Sequence, residues 1–558
     1  MTQKAPSSPS AASKASIAET AIAMGRHYHA RGQIKQAEAC YRQVLALEQD
    51  NFDALHLLGV VAFQTGHFEE AIKLIKRALR GNAQDPSMFV NLGLAYRRTN
   101  DDEKATAAYE TALSIDPDFW DALYNLGKLH LDAYKFEQAI PLYERCIALR
   151  PAETDAHNNL GNAYKFKGEG DKAVAAYEQA LRLSPNFAQA YGNIAAVFLD
   201  RGWHNAALAV MDKAVAIVPQ PGELRFKRAL MALRCGQLET GWTDYDSRFV
   251  AETERIPSWS APPPFWSGED LAGKSIVVRT EQGLGDEVLY SSMLPEVIAR
   301  AGRCILECSP RMVPVFARTF PGAEVLRYKV QGVSVEPLEG VDYQISIGSL
   351  GKFFRRRFDQ FPRHEGYIKA DPERTEQLRA RYQRMAPGNK VVGLSWRSKN
   401  ERLGGLKSSD LAAWRPILTV PGVTFVNLQY GDCAEELAAV KAEYGVDVIQ
   451  DDDVNALKSV DDFFAQVAAM DLVISTSNTT VHAAGSLNIP AWVMLVTGPG
   501  TLWYWFLDRT NSPWYPSLRL FRQPRENNGR DTPWWTEVVD LVGEQLRVWM
   551  GLPPGASI

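Results

Sequence analysis

Residues 281–290 read EQGLGDEVLY and directly follow an apolar run, SIVV at 275–278. A turn out of a strand needs one glycine and no acid, yet this one carries Gly283, Gly285, Asp286 and Glu287. Two readings fit. The carboxylates favour the positive end of a helix dipole. Alternatively, the glycines let backbone approach a ligand while Asp286, with Glu287 as fallback, takes a proton. A second group follows at SWRSKNERLGGLKSSD (395–410), where Arg397, Lys399, Arg402 and Lys407 come after a strand-like run. Cations so placed neutralise phosphate charge; for Lys399 and Arg402 a solvated loop of mixed charge explains the pattern as well. The third group is STSNTTVHAAG (475–485), which offers hydroxyls and amides at the start of a small-residue helix. Asn478, Thr479 and Thr480 are its candidate anion contacts, and His482 lies a turn further in, where a satisfied core histidine is the competing reading.

Short β-rich runs must position these groups. SIVVRT (275–280), CILEC (304–308) and YQISI (343–347) precede VVGLSW (391–396), TFVNLQ (424–429), LVISTS (472–477) and AWVMLV (491–496). Buried runs separated by amphipathic segments predict parallel sheets with crossover helices. A break near MAPGNK (385–390) divides the region into two α/β lobes, 275–387 and 388–558, an arrangement that points to GT-B glycosyltransferases. Ligands then sit at the carboxyl ends of strands, in the cleft. Two further features are discounted. QDDDV (450–454) reads as a solvated turn rather than a metal site, and no metal is expected. The aromatics of 502–521 read as lobe packing, with Trp514 and Tyr515 at the cleft edge.

The first half obeys a ruler. Ala37, Ala71, Ala105, Ala139, Ala173 and Ala207 are 34 residues apart, and four residues after each stands Tyr41, Ile75, Tyr109, Tyr143, Tyr177 or Met211. Twelve residues before them stand Gly25, Gly59, Gly93, Gly127, Gly161 and Ala195; Pro117, Pro151, Pro185 and Pro219 stand twelve after the later ones. Small residues admit a close helix, large ones fill the next gap, and proline ends the second helix. This resembles the tetratricopeptide repeat and predicts an α-solenoid of helix pairs over 17–250, behind a disordered leader at 1–16, with a degenerate seventh unit (Ala229, Gly236, Gly241, Tyr245). A Pro- and Trp-rich linker occupies 251–274. Asn91, Asn125, Asn159 and Asn193 recur at the same period, with Asp121 and Asp155 four residues before two of them. A ladder of amides can bond the backbone of an extended peptide, and this one resembles the asparagine ladder of protein O-GlcNAc transferases; a local structural role is the alternative.

Bulk properties bound the function. With 558 residues the chain has room for about three domains. A formal net charge of -5 leaves no basic footprint for nucleic acid. Six cysteines without metal spacing read as free thiols in a reducing compartment. No apolar run approaches a bilayer span, and residues 1–16 lack the apolar core of a signal peptide, so membrane insertion is not expected and the expected place is the cytoplasm.

The region from about 262 to 545 resembles the heptosyltransferase-like catalytic regions found behind tetratricopeptide repeats in bacterial proteins. The motifs that carry the likeness are EQGLGDEVLYSSMLP, VVGLSWRSKNERLGGLKSSDL, FVNLQYG, DLVISTSNTTVHAAGSLNIPAWVML and WYWFLDRTNSPWYPSLRLFRQ. The combination also resembles bacterial flagellin glycosyltransferases. The resemblance implies an inverting, nucleotide-sugar-dependent glycosyltransferase with no cofactor beyond that co-substrate. Asp286 stands where the family has its proposed base, and Lys407-Ser408 matches the family's basic residue followed by serine. Relatives commonly have Asp-Thr where this chain has Ser477-Asn478, which removes a carboxylate from the donor site. The implied partners are a protein acceptor held by the repeats, with flagellin suspected, and a nucleotide-activated sugar such as a CMP-linked nonulosonic acid. A glycan- or lipid-directed enzyme and a non-catalytic scaffold are the alternatives.

Overall fold

The computed structural model describes residues 11–250, 263–281, 283–328, 338, 340–398, 404–497, 500–523 and 535–553. They fall into two compact units, one ending at Val197 and one beginning at Phe198.

The first unit is a run of helix pairs. Helices open at Phe52, Pro86, Trp120, Thr154 and Ala188, on the 34-residue ruler. Ala71, Ala105, Ala139 and Ala173 are fully buried. The glycine partners have a steric reason: a Cβ on Gly93 would lie 2.5 Å from the Tyr109 ring, and one on Gly161 2.5 Å from Tyr177. The second helices of the pairs end at Ile115, Leu149 and Leu183, two residues before Pro117, Pro151 and Pro185, because the residue preceding proline is pushed out of helical geometry. The first helix, Ala11–Ala30, begins inside the stretch read as a leader.

The second unit opens with the rest of the ruler. Helices His204–Ile217, Gly222–Arg234 and Leu238–Tyr245 precede the first strand. The last pair shares one apolar core with the sheets. Trp242 donates to the Arg355 carbonyl at 2.8 Å, and the hydroxyls of Tyr245 and Tyr290 meet at 2.5 Å. Gly351 admits the Trp242 ring, since a Cβ there would lie 2.3 Å from it. The compact units thus divide inside helix Ala188–Asp200, and the large residues of the degenerate seventh unit face α/β structure.

Among the described residues nine strands follow, and every pair of them is parallel: β1 Ser275–Arg279, β2 Arg303–Cys308, β3 Ala323–Arg327, β4 Tyr343–Ser346, β5 Lys390–Ser395, β6 Val423–Asn427, β7 Leu472–Thr476, β8 Ala491–Leu495 and β9 Leu518–Arg522. Their orders are β3-β2-β1-β4 and β6-β5-β7-β8-β9. Chain order reverses between β1 and β4 in one sheet and between β5 and β7 in the other, which opens a crevice at the carboxyl ends of these strands. Before β5, helix Pro372–Met385 ends just ahead of the turn at Gly388. Among the described residues no helix is long and apolar enough to cross a membrane.

Candidate functional site

A cleft of about 360 Å³ lies at these strand ends, within the second unit. Asp286 after β1, Ser398 and Lys407 after β5, and Asn478, Thr479 and His482 after β7 all line it. Three stretches far apart in sequence thus converge on one space.

Helix Leu284–Ser291 starts at Gly283, whose N–H donates to the Asp286 carboxylate at 3.3 Å. Asp286 therefore caps its own helix and also faces the cleft. The glycines have separate uses. A Cβ on Gly285 would sit 3.0 Å from the His482 ring, so that glycine lets the first lobe touch the second. Gly283 has room for a Cβ and lies exposed at the cleft, so its bare backbone is open to a ligand. Glu281, at the head of the loop, is fixed by the fully buried Arg248 at 2.7 Å and accepts the Gly348 N–H at 2.8 Å. Glu287 is not among the cleft residues. It is buried, accepts from Thr280 (3.1 Å) and Ser309 (3.0 Å), and burial pushes its carboxyl up to about 7.

Lys407 ends the short helix Gly404–Lys407 and is only 5% exposed. Among the described residues it has no hydrogen-bond or ion-pair partner. Burial pulls its ammonium below the ordinary value, while the negative charge of Asp286 acts the other way. A buried cation of this kind favours an anionic ligand. Arg397 is directed elsewhere: it pairs with Glu436 at 2.8 Å, donates to the Asp432 carbonyl, and does not line the cleft. Lys399 and Arg402 lie outside the described residues.

Helix Thr479–Ser486 is capped by Asn478, whose Oδ1 accepts the Thr480 N–H at 3.0 Å. The Asn478 amide also donates to Ser395 (2.7 Å) and to the Arg397 carbonyl (3.1 Å), tying the ends of β5 and β7 together. Thr479 is half-buried at the cleft, whereas Thr480 is fully buried behind it with an unpartnered hydroxyl. Ser477 accepts the indole N–H of Trp505 at 2.8 Å, which fixes its hydroxyl at the cleft. His482 meets the hydroxyls of Tyr515 (2.8 Å) and Tyr504 (3.3 Å); burial, reinforced by the Lys407 charge, holds it down to about 3 and hence neutral. It is a satisfied core histidine with one face on the cleft.

Some lining residues escaped the sequence reading. Phe226, Leu230 and Tyr245 come from the last helix pair, and Trp503 and Tyr504 from the aromatic stretch after β8. Trp514 and Tyr515, expected at the cleft edge, are buried behind it instead, where Tyr515 serves His482. Gln429 was missed as well: its side-chain oxygen accepts the N–H groups of Trp396 (3.0 Å) and Arg397 (2.7 Å) and so shapes the loop after β5. The Asp451 turn is no solvated loop, because Asp451 is buried against Arg381 (2.7 Å) and Tyr382 (2.9 Å). Among the described residues no cluster of three His, Cys, Asp or Glu is placed to hold a metal.

The asparagine row lies in the first unit. Asn91 reaches His56 at 2.9 Å, Asn125 the Asp121 carbonyl at 2.7 Å, Asn159 the Tyr124 hydroxyl at 3.0 Å, and Asn193 both Asn158 (3.0 Å) and Asn162 (3.1 Å). Their amide N–H₂ groups are thus engaged within the array, mostly with the preceding repeat. The side chains of Asp121 and Asp155 belong to exposed residues.

The first half is an array of tetratricopeptide repeats: models of that repeat match residues 22–87, 93–133, 122–157 and 154–187. Among curated proteins the chain is 36% identical over 311 residues to Protein FlbA of Caulobacter vibrioides, covering 53% of this chain and 51% of that protein. That span exceeds residues 1–250, so the likeness reaches beyond the repeats. Protein O-mannosyl-transferase TMTC1 of Mus musculus is 30% identical over 104 residues, covering 18% of this chain and 11% of that protein. The chain spans about half the length of the first relative and about a tenth of the second. Among solved structures, a tetratricopeptide repeat protein from Parabacteroides merdae is 20% identical, with a TM-score of 0.37 over 42% of this chain and 94% of that one. MamA from Desulfovibrio magneticus is 23% identical, with a TM-score of 0.29 over 30% and 95%.

Proposed function

We propose that this chain is a cytoplasmic bacterial protein glycosyltransferase of GT-B arrangement that moves a sugar from a nucleotide donor to a serine or threonine of a protein acceptor. The observation that carries the reading is Lys407, buried and without a partner among the described residues, in the same cleft as Asp286. Transfer to a hydroxyl needs a base for the acceptor proton and a cation for the departing phosphate, and these two residues meet both needs. Asp286 accepts the acceptor proton. Lys407 takes phosphate charge, assisted by the Thr479 hydroxyl and by the start of the helix that Asn478 caps. Thr480 supports that helix from behind, His482 turns one face to the cleft beside it, and Arg397 holds the neighbouring loop. Direct displacement inverts the sugar's anomeric centre. The donor class is a nucleotide sugar, CMP-nonulosonic acid or UDP-N-acetylglucosamine. The name of the mouse relative agrees with the reaction class, although its match covers 11% of that protein.

The repeats serve as the acceptor-holding module, with flagellin as the leading acceptor. Asn91, Asn125, Asn159 and Asn193 bond the acceptor backbone through their side-chain carbonyl oxygens, flanked by Asp121 and Asp155. Intact-protein mass spectrometry of flagellin from cells with and without this gene tests the reading. A mass increment of one or more sugars that vanishes on deletion supports it; identical masses for flagellin and every other abundant protein contradict it.

A further inference from the structure

The cleft has two unlike walls. One, from the ends of β5 and β7, is polar and carries Lys407, Ser398 and Thr479. The other is apolar: Phe226 and Leu230 stand one helical turn apart on helix Gly222–Arg234, beside Tyr245 and Trp503. Both Phe226 and Leu230 are only half-buried, so their apolar faces remain available to a ligand. Their positions in the repeat register are informative. Phe226 and Leu230 come two 34-residue steps after Asn158 and Asn162, the pair that accepts from Asn193. A row that is amide in the fifth repeat is therefore hydrocarbon in the seventh, where it lines the cleft.

We infer that the last helix pair of the array is the acceptor wall of the reaction site, and that it takes a polypeptide segment whose modified serine or threonine is flanked by apolar side chains. The inference rests on the glycosyltransferase reading. The division of the cleft assigns the occupant: the nucleotide's negative charge belongs with Lys407, which leaves the hydrocarbon wall to the other substrate. A glycan acceptor presents hydroxyls along most of its surface and would leave them unpaired against Phe226 and Leu230. An apolar side chain next to the reacting hydroxyl gains from the same surface.

The test uses the full-length chain, flagellin purified from a strain lacking this gene, and CMP and UDP as nucleotide probes. Phe226→Ser combined with Leu230→Ser is expected to raise the acceptor KM by about tenfold or more. The kcat should stay within about twofold, as should affinity for whichever nucleotide wild type binds, because neither touches this wall. Phe226→Leu with Leu230→Met restores apolarity and should restore KM. Mapped sites should have apolar neighbours. Parallel loss of nucleotide affinity would assign the wall to the donor and overturn the inference, as would an unchanged KM or modification of hydroxyls among polar residues. If the double serine variant does not fold, Leu230→Gln alone is judged by the same two parameters. A wild-type chain that binds nucleotide but modifies no flagellin removes the underlying reading, and the inference with it.

Discussion

Asp286 and Glu287 are adjacent in sequence and opposite in circumstance. Asp286 faces the cleft, whereas Glu287 is buried behind it with its carboxyl pushed up to about 7 from 4.5. Between those two values the folded chain holds a proton that the unfolded chain has released, so Glu287 makes stability fall as pH rises. The loss amounts to about 3 kcal/mol. Glu287→Gln should therefore gain about that much on wild type between about pH 4 and pH 8, read from denaturant midpoints; an opposite trend contradicts the burial argument. Lys407→Ala removes the buried cation and should weaken CMP or UDP binding by about tenfold to a hundredfold, the scale of one charged hydrogen bond, as measured by titration calorimetry. Unchanged affinity would place the phosphate elsewhere. At this scale the sequence was informative where a residue type stood at a strand end, as for Asp286, Lys407 and Asn478. It was silent on direction: nothing in SWRSK says that Arg397 turns toward Glu436, because that partner lies far along the chain.

Elements were legible where their pattern was strong. The 34-residue ruler gave the helix pairs, and seven apolar runs became strands. The two strands it missed are edge strands: β3 is half-exposed, and β9 hides among aromatics that read as packing. The ruler also makes a prediction whose sign is not the usual one. Gly→Ala inside a helix normally stabilises by about 1 kcal/mol. At Gly161 the new methyl would lie 2.5 Å from the ring of Tyr177, which is fully buried and holds Asn162. Gly161→Ala should instead destabilise by about 1–3 kcal/mol. A melting temperature at or above that of wild type would show that the ring can move aside.

At the scale of the molecule, the repeat helices run on to Tyr245, whereas the two compact units divide earlier, inside helix Ala188–Asp200. The reason lies in Trp242, Tyr245 and Arg248, which a repeat pattern records only as a degenerate unit and which bond to Arg355, Tyr290 and Glu281. A fragment of residues 198–558 should therefore fold and bind nucleotide, whereas one of 256–558 loses these three anchors and should be less stable or insoluble. Equal stability of the two by circular dichroism would mean that the last helix pair is dispensable. A fragment of residues 1–197 should fold through nearest-neighbour contacts and hold the acceptor without modifying it. The central claim, that Asp286 removes the acceptor's proton in glycosyl transfer, is tested most directly by Asp286→Asn in the full-length chain, with flagellin's intact mass as the readout. The amide keeps the size and the bond to Gly283 but is no base, so transfer should fall by about 10²–10⁴ while nucleotide and flagellin binding persist. A folded Asp286→Asn chain that transfers sugar at the wild-type rate would contradict the account.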